Sequence, residues 1–148
     1  MSLVGILFCA WLALGWGWLM YAVFESVAIS KISAANTNAK CVLQAFQNSV
    51  TELEDAGTLP AYSEEVYIGR LDAPAEEDSL QHRIVAYFSD DGYFAVVTDG
   101  DWHVRYALWS NREITPDEIR PYASDAQRRF MMSPFQDHGE LVGYWKGE

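Results

Sequence analysis

Residues 3–24, LVGILFCAWLALGWGWLMYAVF, decide how the rest of the chain is read. The stretch has no charged residue and no proline. At about 1.5 Å per residue it makes a helical rod of roughly 33 Å, enough to cross a hydrocarbon core of about 30 Å. The sequence therefore predicts a transmembrane helix beginning almost at Met1. A cleaved signal peptide is the rival reading. Its apolar core would be shorter, about 7–15 residues, and would follow a basic segment and precede a small-residue cleavage site. Phe8 directly before Cys9 also makes a poor lipoprotein signal.

Within this stretch Gly5, Cys9, Ala13 and Gly17 recur every fourth residue. That spacing stacks small side chains on one helix face, where another helix backbone can come close. We expect this face to be a helix-packing interface with other membrane-protein subunits or with copies of the same chain. Trp16, Trp18 and Tyr21 suit the interfacial aromatic belt at the end of a span. Glu25 follows at the boundary, either as an exposed carboxylate or as a polar intramembrane contact.

No helix breaker occurs between Phe24 and Gly57. Ile32, Ala35, Ala39, Val42, Phe46, Ser49 and Leu53 are spaced by three and four, an amphipathic stripe at helical period. The membrane helix is expected to continue as a stalk to about residue 56, ended by Gly57 as C-cap glycine and by Pro60. The alanines make the first half of the stripe thin, suited to close packing on a helix or a sheet.

The fold class expected is α+β. The transmembrane helix runs on into the amphipathic helix, which packs on a small antiparallel β-meander, with a helix near the C-terminus. The anchor is placed at 1–27, the stalk at 28–57, a connector at 58–81 and the globular head at 82–148. Val66-Tyr67-Ile68 suggests a short strand inside the connector. Beyond it HRIVAYF (82–88), YFAVV (93–97) and WHVRYALW (102–109) are rich in aromatic and β-branched residues and read as strands. Asp91-Gly92 and Asp99-Gly100 stand between them as type I′ hairpin signals. Thr115-Pro116-Asp117-Glu118 carries helix-start signals, with a helix expected over 122–132. Leu141 to Trp145 is expected to add an edge strand.

The chain has a net charge of −11 over 148 residues. Residues 1–40 carry +1, from Lys31 and Lys40 against Glu25, so residues 41–148 carry −12. A domain so acidic repels phosphate backbones and anionic headgroups, which argues against nucleic-acid binding. Cys9 and Cys41 would lie ~48 Å apart on one helix, far beyond disulfide reach.

No motif names a chemistry. There is no G-x-S-x-G and no glycine-rich phosphate loop, and His82, His103 and His138 stand at no metal-ligand spacing. Asp90 and Asp91 are expected in one turn and Asp99 and Asp101 in the next, at opposite ends of a shared strand and roughly 17 Å apart. They cannot form one site. No catalytic residue, metal or cofactor is expected.

The layout resembles that of the type IV pilins: an apolar N-terminal helix continuing amphipathically to about residue 56, a connector, an antiparallel meander and a C-terminal tail. The resemblance implies a filament subunit. It rests on architecture across the whole chain and on no motif. Gly5 stands where that family's mature subunits usually carry a glutamate, and no basic leader precedes Met1. The function expected is a non-catalytic, single-pass membrane subunit with an accessory or scaffold role. A pilin-like filament subunit is the alternative, and a membrane-tethered ligand-binding or enzymatic domain the third. Lys31 and Lys40 favour a cytoplasmic head by the positive-inside rule, whereas the acidic, aromatic-rich head favours an extracytoplasmic one, which is the expectation kept here.

Overall fold

The computed structural model describes residues 2–72, 79–88, 91–120 and 142–147. One helix, α1, runs unbroken from Leu3 to Asp55. It starts at Ser2, whose hydroxyl accepts a bond from the Gly5 N–H. It stops as the glycine and proline signals predict. Gly57 adopts a positive φ of 69°, the Thr58 N–H bonds the Leu53 carbonyl and the Gly57 N–H bonds the Glu54 carbonyl. These two bonds form a Schellman cap, which only a residue comfortable in the left-handed region completes without strain.

The first part of α1 is long and apolar enough to cross a membrane, and the head buries none of it. The head begins where the stripe begins. Ala35, Ala39, Val42, Phe46 and Ser49 are buried, and Ile32 and Leu53 half-buried. Asn36, Leu43 and Ala45 are buried as well. The contact face is therefore wider than the stripe read from sequence, as a helix lying flat on a sheet requires.

The partner of this face is a four-stranded antiparallel sheet of β1 (Val66–Arg70), β2 (Tyr93–Thr98), β3 (Val104–Ser110) and β4 (Val142–Lys146), in spatial order β1-β2-β3-β4. Its alternation sorts the side chains into two clusters. Phe94, Val96, Val104, Ala107 and Trp109 face α1. Ala95, Leu108 and Val142 face the other way, under Ile114 and Ile119. Helix α1 crosses the sheet obliquely. Near β4 the Ala35 carbonyl lies where a Cβ on Gly143 would have to go, at 1.8 Å. Near β1 the Phe46 ring packs on Tyr67, with centroids 5.2 Å apart. Alanine on the helix and glycine on the strand give the close approach; phenylalanine fills the wider gap at the far side.

Three expectations change. Residues 82–88 are not a strand. Leu80–Val85 forms a short helix, α2, started by the Ser79 hydroxyl accepting from the His82 N–H. Leu80, Ile84 and Phe88 all pack into the core. Their spacing by four suits a helix as well as the β-branched content suits a strand, and the cap and the buried Ile84 decide between them. The expected 89–92 hairpin falls away with that strand, since Gly92 follows the helical segment. Its φ of 143° and the Trp109 indole, 2.5 Å from where a Cβ would stand, leave room for no side chain. The Asp99-Gly100 turn does join β2 to β3, but not as a two-residue type I′ turn. It is a five-residue loop, 99–103, with positive φ at Gly100 and Trp102. The Asp99 carboxylate accepts from the Asp101 and His103 N–H groups and holds the loop in this longer form. The helix expected at 122–132 lies outside the described residues.

Candidate assembly surface

Gly5, Cys9, Ala13 and Gly17 lie along one side of the bare part of α1. Nothing lies within 4 Å of where a Cβ on Gly17 would stand, and Cys9 is exposed. Glu25 is half-shielded on the same bare part. Nothing from the described head reaches any of them. Eleven helical steps, about 16 Å, lead from Phe24 to Ala35, the first residue buried by the head.

A second strip is visible only once the head is placed. Ser26, Ser30, Ser33 and Thr37, with Ile29 and Asn38, line a shallow groove on α1. At about 100° per residue these positions point opposite to Ala35, Ala39 and Phe46. The head therefore covers one side of the stalk and leaves small hydroxyl side chains on the other. They carry no apolar period, so the sequence alone gives no signal for them. The two exposed cysteines, Cys9 and Cys41, stand one in the apolar segment and one on the stalk, and neither is in a disulfide.

Polar contacts brace the head. Glu52, near the end of α1, accepts from the Arg83 guanidinium at 3.2 Å and from the Tyr87 hydroxyl at 2.6 Å, tying α2 to α1. Its hydrogen bond to Glu52 raises the Tyr87 pKa. Lys40 lies over the Trp145 ring of β4, 5.0 Å from the centroid. The Asn36 side-chain carbonyl accepts the Tyr144 N–H at 3.0 Å. Hydrogen bonds from the Asp101 and His103 N–H groups hold the Asp99 carboxyl below its usual value. A hydrogen bond from the Arg70 guanidinium lowers Asp72, and one from the Thr115 N–H lowers Glu118.

Among the described residues no three His, Cys, Asp or Glu side chains stand close enough to hold a metal ion. His82 is on α2 and His103 in the β2–β3 loop; His138 lies outside the described residues. Asp91 and Asp99 lie at opposite ends of β2. No family model, curated protein or solved structure matches this chain.

Proposed function

We propose that the chain is a non-catalytic, single-pass membrane subunit that assembles with other membrane proteins through α1 and carries its acidic head outside the cytoplasm. One observation carries this reading. A helix of 53 residues is built in two halves, and the described head wraps only the second. The first leaves Leu3, Trp11, Leu14 and Trp18 each about three-quarters exposed. Water would not tolerate so long an apolar surface, but lipid and a neighbouring helix would. The small side chains along Gly5–Gly17 and the hydroxyl groove at Ser26–Thr37 give that neighbour a place to approach closely.

A pilin-like filament subunit is a second reading. A long helix with an antiparallel sheet on its C-terminal half favours it.

Mild detergent extraction followed by sizing separates the two. A defined complex with other membrane proteins supports the first reading. A polymer of this chain alone supports the second. A monomer released without detergent contradicts both. Protease treatment of intact cells tests the side: digestion of the head from outside is the expected result.

A further inference from the structure

The two edges of the sheet are treated differently. In the β3–β4 pair the Gly147 N–H bonds the Arg105 carbonyl, so the backbone of Val142, Tyr144 and Lys146 turns away from β3. At that edge α1 comes close, with the Ala35 carbonyl against Gly143, and Asn36 takes the Tyr144 N–H. In the β1–β2 pair the Thr98 N–H bonds the Glu65 carbonyl and the Leu71 N–H bonds the Gly92 carbonyl. By alternation Tyr67 and Gly69 bond β2, and the N–H and C=O groups of Val66, Ile68 and Arg70 point outward. No described residue takes them. Proteins generally blunt such an edge, and an open one is a template for another strand.

A cleft of about 270 Å³ adjoins this edge on the sheet face away from α1, lined by Ile68, Gly69, Arg70, Tyr93, Glu113 and Ile114. A strand added to β1 would direct alternate side chains to that face, beside Ile68 and Arg70. Glu64 and Glu65 flank the start of the edge and the Glu113 carboxylate borders the cleft.

We propose that the β1 edge takes up an extended, cationic segment of a partner protein by strand addition, with one of its side chains seated in the cleft. A second copy does not fit. Antiparallel β1–β1 pairing has its two-fold axis normal to the sheet, and that axis reverses every direction lying in the sheet plane. Helix α1 lies flat on the sheet, so the two apolar segments would point opposite ways and could not enter one membrane from the same side. Addition of β1 to another copy's β4 would have to displace Asn36 from the Tyr144 N–H. The exclusion of the antiparallel pair rests on the membrane reading above; the outward amides and the cleft do not.

The test uses the full chain in detergent micelles, where insertion plays no part, so its failure is separate from failure of the membrane reading. The probes are peptides Lys-Val-Thr-Xaa-Thr-Val-Lys with Xaa as Val, Phe, Tyr or Lys. Amide exchange is read residue by residue. The expected result is at least about tenfold slower exchange at Val66, Ile68 and Arg70 with one or more probes, and no change at Tyr67 and Gly69, which already bond β2. Ile68→Pro, or Val66→Pro at the first strand position, removes an outward N–H that no described residue takes, and whichever variant folds is expected to weaken binding at least about tenfold. Failure of all four probes to bind, protection away from β1, or binding unaffected by whichever proline variant folds would overturn the proposal. So would spontaneous disulfide dimers of Ile68→Cys in a Cys9→Ser, Cys41→Ser background, which would seat a second copy on the edge.

Discussion

The two halves of α1 share one backbone and differ in what surrounds them. The described head buries none of residues 3–34, with Ile32 half-buried at its margin, and residues 35–55 are clasped by a sheet and a short helix. The side chains differ to match. The bare half is large and apolar on most sides, with small residues in one line. The clasped half is apolar on one side only, and its smallest residues sit where the sheet comes closest, as Ala35 meets Gly143. Most helices in proteins draw their stability from tertiary packing. Here the head supplies that packing to one half; on the reading proposed above, lipid and a neighbouring helix supply it to the other. A single helix can thus carry two side-chain patterns in succession, one matched to a covering sheet and one left bare by the described head.

The contrast is broken most severely by charge in the bare half. A double substitution Leu12→Arg, Leu14→Arg is expected to cost about 5–7 kcal/mol of insertion at ~2.5–3.5 kcal/mol per central charge. It should release the protein from membranes into the alkaline-wash supernatant while the unfolding midpoint of the head stays put. Retention in the pellet would show that the segment is not held by lipid. The converse change acts on the clasped half. Phe46→Ala removes a fully buried ring and is expected to destabilise the head by about 3–5 kcal/mol with membrane retention unchanged, as read by chemical denaturation. A smaller loss, about 1–3 kcal/mol, is expected for Asn36→Ala, which leaves the Tyr144 N–H without its acceptor. If Asn36→Ala is neutral, the bond from the Tyr144 N–H does not hold α1 to β4 in the way described.

The smallest effect concerns acid. Asp99, Asp72 and Glu118 all have pKa values depressed below their ordinary ones by hydrogen bonds in the folded head. A carboxylate with a depressed folded pKa contributes stability above its unfolded pKa and loses it as pH falls through the folded value. The unfolding midpoint should therefore be flat down to about pH 4.5 and decline below it. Asp99→Asn should lower the midpoint slightly at neutral pH and shrink the acid decline. All three groups are exposed, so the effect is a modest slope and not a transition.

The long helix was legible in the sequence for direct reasons. Its apolar run, its stripe and its Gly57 stop each follow from one local rule. Strands β2 and β3 were equally legible, because aromatic and β-branched residues alternate there between Asp-Gly signals. Residues 82–88 were not, since the composition HRIVAYF favours a strand and only the Ser79 cap and the Leu80–Ile84–Phe88 spacing favour the helix. Propensity and period disagreed, and burial of Ile84 decided. The β2–β3 loop departs from its hairpin signal because the Asp99 side chain bonds its own loop backbone, a competitor to the hairpin turn that a two-residue rule does not weigh. On the proposed assembly surface, the small-residue line could be read from spacing alone. The hydroxyl groove at Ser26–Thr37 and the β1 edge could not, since each is defined by what the described head and α1 leave uncovered. Asn36 likewise reads as one polar residue at the margin of the stripe until β4 is placed beside it.

The protein carries its own probes of the central contrast. Cys9 lies in the apolar half and Cys41 on the stalk, and both are exposed along the helix. N-ethylmaleimide crosses bilayers but needs a thiolate in water to react. In sealed vesicles holding the full chain, Cys41 is expected to react readily and Cys9 only after the membrane is dissolved and the chain denatured. Equal labelling of both cysteines in intact vesicles would place the greasy half of α1 in water and contradict the account.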